Sequence, residues 1–154
     1  TSTLRQQGAG GYPKALHGGI RPGKVGGRPR QSCPRASLFP MPLQRHAWIT
    51  GLKPELAARY EALHARPREA VNRMLKACHI RNYSIHVHEI DGRPFLFSYL
   101  EYTGDDFAAD MARMAADEAT RDWWRETDPC QAPLPLAAAR GQIWSEAREI
   151  FYLA

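Results

Sequence analysis

Tyr60 and His64 lie four residues apart in a segment whose apolar residues recur at helical spacing. Side chains at i and i+4 share one helix face, so the phenol and the imidazole can meet the same ligand. An imidazole near a helix C-terminus is favoured in its protonated form and can exchange a proton near neutral pH, as a general acid or base must. A surface histidine, or a core histidine with satisfied nitrogens, fits the same spacing.

Tyr83 shares one face of a predicted strand with Ile85 and Val87, in the alternating segment NYSIHVH at 82–88. Successive strand residues point to opposite sides, and the apolar side of this strand should meet the helices. A tyrosine there brings a hydroxyl into otherwise apolar space. The alternative is a core tyrosine whose hydroxyl reaches the surface.

Trp123 and Trp124 are adjacent within the charged run DWWRETD. Neighbouring helical positions point about 100° apart, so both indoles cannot enter one buried stripe, but one can enter the core while the other forms a cavity wall. The apolar faces of a pyranose stack on indole while its hydroxyls need polar edges, so this wall suits a sugar. Base stacking would use the same rings, and a purely structural pair is the remaining interpretation.

His86 and His88 lie on the opposite strand face at a spacing that can bind a metal, but no third ligand is evident. We therefore predict no metal site and expect both at a dimer contact or in solvent. Without a GxGxxG, Walker A, nucleophile-elbow or CxxC motif, a dinucleotide or phosphate site and a serine hydrolase have no support. Cys33, Cys78 and Cys130 have no paired spacing, which indicates free thiols in a reducing compartment.

The positive charge of the 154-residue chain, formally +5, is concentrated at its N-terminus. Residues 1–40 carry seven Lys and Arg, no acidic residue and 8 of the 12 glycines, whereas residues 41–154 carry 14 basic and 16 acidic residues. We predict a disordered basic Gly/Pro-rich tail over 1–40 and one folded domain over 41–154. A transit peptide, a nucleic-acid-binding arm and an extended gene start before Met41 are interpretations of the tail. We expect a cytoplasmic protein with no membrane partner, since no apolar stretch reaches ~18 residues. We expect no nucleic-acid partner either, since the folded part carries a slight negative charge.

The hydrophobic pattern predicts the element order β-α-β-β-α-β. The predicted strands are 44–52, 82–88, 95–102 and 148–153; the predicted helices are one ending near His64, a second segment from about Pro67, and one over 104–127. Asp91-Gly92 indicates a tight hairpin. This is the order of a ferredoxin-like α+β sandwich, with helices on one face of an antiparallel sheet. A second copy would cover the other face, so we predict a homodimer that forms an α/β barrel.

Four segments together resemble the L-rhamnose mutarotase family: AWITGLKPELAARYEALH, NYSIHVH, ATRDWWRETDP and the terminal EIFYLA. The resemblance spans residues 45–154 and leaves 1–40 outside. It implies a small dimeric α+β enzyme that interconverts the α and β anomers of a 6-deoxy sugar without a metal or organic cofactor. It also implies a proton-donating histidine at His64, substrate-binding tyrosines at Tyr60 and Tyr83, and paired tryptophans at Trp123 and Trp124.

The segment after His64 departs from the family pattern. Rhamnose-type members carry Asn-Pro followed by a tryptophan and another proline, whereas this chain has HARPREAV, with Ala65, Arg66 and a shifted Pro67. We predict an aldose 1-epimerase acting on L-rhamnose, with L-fucose or a related aldose as the alternative sugar. A cofactor-free monooxygenase or lactone isomerase on the same dimeric scaffold is an alternative enzyme, and a module that recruits nucleic acid through its tail is the non-catalytic alternative.

Overall fold

The computed structural model describes residues 43–66 and 68–153, where antiparallel strands form one sheet with helices against it. The strands are β1 (Gln44–Leu52), β2 (Ile80–Ile90), β3 (Arg93–Tyr102), β4 (Gln131–Ala132) and β5 (Ser145–Ala147), and the helices are α1 (Ala57–His64), α2 (Glu69–Ala77), α3 (Phe107–Ala116), α4 (Glu118–Thr127) and α5 (Pro135–Ala139). Short 3₁₀ turns at Pro54–Leu56 and Asp128–Cys130 precede α1 and follow α4. The predicted tail over 1–40, Cys33 and the interruption at Pro67 itself lie outside the described residues.

The predicted ferredoxin-like order is confirmed, with the strands arranged β2-β3-β1-β4 and β5 also paired to β1. The hairpin between β2 and β3 turns at Asp91 and Gly92, whose φ angles of 49° and 72° are the left-handed values that a tight two-residue turn needs. Within the described residues, none of the helices is both long and apolar enough to cross a membrane.

The helix predicted over 104–127 is two helices, because Asp117 takes an extended conformation between α3 and α4. Its carboxylate accepts hydrogen bonds from the backbone N–H and the hydroxyl of Thr120, both at 2.8 Å. An aspartate in this position satisfies a free N–H at the start of a new helix. The break gives the tryptophan-bearing α4 its own start at Glu118.

The last strand lies earlier than predicted, at Ser145–Ala147, and residues 148–153 are outside the sheet. After Ala147 the Glu149 carboxylate accepts hydrogen bonds of 2.6 and 2.8 Å from the Arg45 guanidinium. The guanidinium carbon also lies 3.4 Å from the centre of the Tyr152 ring. Side-chain contacts therefore hold this segment where a backbone ladder was predicted.

Alternation along β3 divides the sheet into a helix face and an outer face. Leu96, Ser98, Leu100 and Tyr102 are buried on the helix face, whereas Phe95, Phe97, Tyr99 and Glu101 are half-buried on the outer face. Pairing places Ile85 and Val87 on the helix face, opposite Ser98 and Leu96. Val87 is nevertheless 50% exposed, because β2 is an edge strand whose covered part ends at Ile85. The predicted burial of Val87 is therefore wrong.

Candidate active site

A cavity of about 300 Å³ opens between the helices and the helix face of the sheet. Its walls come from α1, α2, β2, α4 and the turn after α4. All five residues singled out from the sequence line it, namely Tyr60, His64, Tyr83, Trp123 and Trp124. The fold thus brings together side chains separated by up to 64 positions.

His64 enters the cavity from the C-terminal end of α1, which ends at this residue as predicted. Its Nδ1 lies 2.9 Å from the backbone carbonyl oxygen of Tyr60, one turn earlier. A carbonyl only accepts hydrogen bonds, so Nδ1 carries the hydrogen and a neutral ring has its lone pair on Nε2. The ring also packs against Tyr60 and meets the Trp123 ring edge-on, with centroids 4.3 and 4.8 Å away.

Burial lowers the pKa of His64 below its ordinary value, and the positive charge of Arg68 lowers it further. The hydrogen bond to the Tyr60 carbonyl acts in the opposite direction, as expected at a helix C-terminus, but the net direction is down. The resting imidazole near neutral pH is therefore neutral, where the sequence alone favoured the protonated form.

Tyr60 is buried, and that burial raises the pKa of its phenol well above the ordinary value. The neighbouring Tyr83, Cys130 and Asp128 raise it further in that order, so these groups lie close to the phenol. A phenol held neutral in this way is a hydrogen-bond donor and acceptor.

Tyr83 reaches the cavity through an irregularity in β2. The ladder with β3 shifts register between Arg81 and Ser84, and Asn82 has a left-handed φ of 45°. Such bulges leave a residue outside the pairing and re-aim its side chain. Tyr83 lies in the bulge and is half-buried against the core.

The two tryptophans divide as the helical geometry requires. Trp124 is buried in the core, whereas Trp123 is half-buried and presents more of its ring to the cavity. Arg68 covers the Trp123 ring, with 4.7 Å between its guanidinium carbon and the ring centre. It also pairs with Glu126 at 3.5 Å, so its charge is partly balanced outside the cavity.

Several polar residues that the sequence did not single out also line the cavity: Arg66, Arg68, Asn72, Asp128 and Gln131. Burial raises the pKa of Asp128 to about 7. The buried Gln131 Oε1 has no hydrogen-bond partner in the described part of the chain. Asp128 follows the second tryptophan by one helical turn, which is the signal that could have identified it.

His86 and His88 lie away from this cavity, since pairing opposite Phe97 and Phe95 places them on the outer face. His86 Nε2 is 3.1 Å from the Ser84 hydroxyl. Residues 43–66 and 68–153 contain no group of three or more His, Cys, Asp or Glu side chains arranged to hold a metal ion.

The family model of L-rhamnose mutarotase matches residues 45–153. A crystal structure of an L-rhamnose mutarotase from Formosa agariphila has the same fold, with a TM-score of 0.54 and 21% sequence identity. The match covers 72% of this chain and 99% of that one. No curated protein matches the chain. With the family model spanning every cavity residue named above, the chain belongs to the L-rhamnose mutarotase family.

Proposed function

We propose that this carbohydrate isomerase interconverts the α and β anomers of a free 6-deoxyhexopyranose, with L-rhamnose as the first candidate. The observation that carries the proposal is a single cavity in which an imidazole, two phenols and an indole wall converge. Its volume of about 300 Å³ is at the lower end of the usual range for small-molecule sites and suits a monosaccharide.

Mutarotation requires proton transfers at two oxygens. The anomeric hydroxyl loses a proton as the C1–O5 bond breaks. The electron pair of that bond goes to the ring oxygen, which takes up a proton. The open aldehyde rotates about C1–C2 and closes on its other face, with both transfers reversed. His64, the proton donor expected from the family resemblance, is the principal proton-transfer residue. Its reacting atom is Nε2, because Nδ1 is committed to the Tyr60 carbonyl, and the neutral ring must take up a proton at Nε2 before it can donate one.

The remaining cavity residues bind and orient the sugar. The neutral phenol of Tyr60 and the hydroxyl of Tyr83 hydrogen-bond its oxygens, and the orphan Gln131 Oε1 accepts a bond from a hydroxyl. Trp123 and Trp124 provide the stacking wall and exclude water. Positioning of this kind assists even a reaction that proceeds unaided in water.

The choice of sugar depends on the segment that departs from the family pattern. Arg66 and Arg68 line the cavity in that segment, where rhamnose-type members carry other residues. L-Fucose is therefore the second candidate substrate.

We also propose that the enzyme is a homodimer and works in the cytoplasm. The outer face presents the half-buried Phe95, Phe97 and Tyr99, which a second copy would cover. Cys78 and Cys130 are free and buried, as expected of a protein in a reducing compartment.

The test is anomeric exchange measured by NMR saturation transfer on L-rhamnose and L-fucose in parallel. We expect the protein to accelerate exchange of one sugar, and His64→Ala to lose on the order of 10²–10⁴-fold of that acceleration. His86→Ala is the matched control, because His86 lies outside the cavity, on the opposite face of the sheet. No acceleration of either sugar by the folded protein would refute the proposal.

A further inference from the structure

Asp128 is the one acidic side chain that lines the cavity among the described residues. It begins the short turn that follows α4, and α1 packs against that turn. The carboxylate is half-buried and receives no hydrogen bond or ion pair from the described part of the chain. A half-buried carboxylate in a cavity wall, without a partner among the described residues, leaves its oxygens to be satisfied by water or by a ligand in the cavity.

The groups around Asp128 leave it able to hold a proton near neutral pH. Burial is the cause that raises its pKa to about 7, and the buried phenol of Tyr60 is close enough to sense its charge. The other titratable or charged groups facing the cavity or this turn are His64 on α1, Arg66 and Arg68 before α2, Tyr83 on β2, Cys130 in the turn itself, and Lys53, whose Nζ donates to the Pro129 carbonyl at 2.7 Å.

The neutral ring of His64 can accept a proton, whereas the protonated carboxyl group of Asp128 can donate one. Its Nδ1 hydrogen is bound to the Tyr60 carbonyl, and Nε2 is the free acceptor of a neutral ring. One wall of the cavity therefore offers a proton acceptor, while another offers a carboxylic acid. Two groups with different environments in one site are the usual arrangement for paired acid and base catalysis.

We propose that Asp128 is the second proton-transfer residue of the site, which rests on the mutarotase function proposed above. In ring opening His64 Nε2 takes the proton of the anomeric hydroxyl, while the carboxylic acid of Asp128 gives its proton to the ring oxygen as the C1–O5 bond breaks. In ring closure Asp128 takes the proton back from the C5 hydroxyl, and His64 returns its proton to the former aldehyde oxygen. Both residues end each turnover in their starting forms.

The pairing predicts a particular pH profile. The reactive form contains neutral His64 and protonated Asp128, so exchange should rise with pH through the lowered pKa of His64 and fall above about pH 7. Asp128→Asn should slow anomeric exchange on the order of 10²-fold, and its rate should no longer fall above about pH 7. The sugar that is turned over, L-rhamnose or L-fucose, should bind the variant within a few-fold of its affinity for the wild type.

The experiment measures exchange from pH 5 to 9 for the wild type, Asp128→Asn, Asp128→Glu and Asp122→Asn, with sugar binding by calorimetry. Asp122 is exposed on α4, so its variant should behave as wild type, and Asp128→Glu should recover part of the rate with an alkaline fall. Direct ¹³C NMR titration of the wild-type carboxyl serves if the Asn variant does not fold.

The outcomes separate the two proposals. A wild type that accelerates neither sugar overturns both. Suppose that the wild type accelerates exchange and that His64→Ala loses this acceleration. If Asp128→Asn then has the rate and pH profile of the wild type, only the role of Asp128 is overturned. A wild-type profile without an alkaline fall, or an Asp128 carboxyl that titrates near pH 4, overturns it as well.

Discussion

The two faces of the sheet are built from the same strands but differ in how far their side chains are buried. On the helix face Leu100 is completely buried, and its neighbours pack with Trp48, Met114 and Trp124 into one core. On the outer face Phe97 is half-buried, and the segment over 148–153 lies largely exposed, with Phe151 at 79%. Strand alternation supplies both faces with apolar side chains, but the helices of one chain cover only one of them.

One chain supplies every residue of the candidate site, but it does not cover the outer face of its own sheet. The helix face contains the entire candidate site, because its residues come from the helices packed on that face, from the segments that flank them, and from Tyr83 on β2. The outer face contributes none of the singled-out residues, and its apolar area matters for assembly. Substitutions on the two faces should therefore separate stability and catalysis from association.

The largest effect on folding is expected from Leu100→Ala on the helix face. Removing a fully buried leucine leaves a cavity, and we expect a loss of about 2–5 kcal/mol in the free energy of unfolding. Val87→Ala on the exposed end of β2 is the control and should change it by less than about 1 kcal/mol. Chemical denaturation measures both, and equal losses would contradict the described asymmetry in burial.

A substitution on the outer face should change the affinity between two copies of the chain. Phe97→Glu replaces an aromatic ring by a carboxylate in the middle of the proposed dimer contact, opposite Ile49 on one neighbouring strand and His86 on the other. We expect the dimer affinity to fall by more than about 100-fold while the monomer stays folded, since a central aromatic carries much of an interface's energy. Sedimentation velocity measures it, and an unaltered dimer would place the contact elsewhere.

Within the helix face, Asp128 should give stability a pH dependence. Its pKa of about 7 in the folded chain exceeds the ~3.9 of an unfolded aspartate, so the folded state holds the proton more tightly. Stability from this group is therefore present at acidic pH and is lost as pH rises from about 4 to 7. Asp128→Asn should gain stability relative to the wild type across that window and no further above it. Denaturation at pH 4, 5.5, 7 and 8.5 checks this, and a constant difference would count against the raised pKa.

The smallest effect is expected where the C-terminal segment meets the outer face. Glu149→Gln removes the ion pair with Arg45, while the stacking of Arg45 on Tyr152 is retained. Exposed pairs contribute little, so we expect an unchanged melting temperature and lower backbone NMR order parameters confined to residues 148–153. Arg45→Ala, which removes both contacts, should lower those order parameters further. Order parameters equal to those of the wild type would show that other contacts hold the segment.

Features of this protein that depend only on residues close together in the sequence were predictable from the sequence alone. The Asp91-Gly92 hairpin was predictable because only residues that tolerate left-handed angles suit such a turn. The shared face of Tyr60 and His64 followed from helical spacing. Both predictions depend on neighbours a few positions away, and the β-α-β-β-α-β order followed from the same kind of periodicity.

Other features depend on residues far apart in the sequence and could be read only from the folded chain. The proton state of His64 reverses its sequence-based expectation, because burial by other elements outweighs the helix terminus. Asp128 directly follows α4 in the sequence, and only the packing of α1 against its turn makes it a half-buried carboxyl group in a cavity wall, with a pKa raised to about 7. The last strand ends at Ala147, and the side chain of Arg45, more than 100 positions away, binds Glu149 in the segment that follows. Burial and long-range contacts belong to the assembled chain, and no local pattern encodes them.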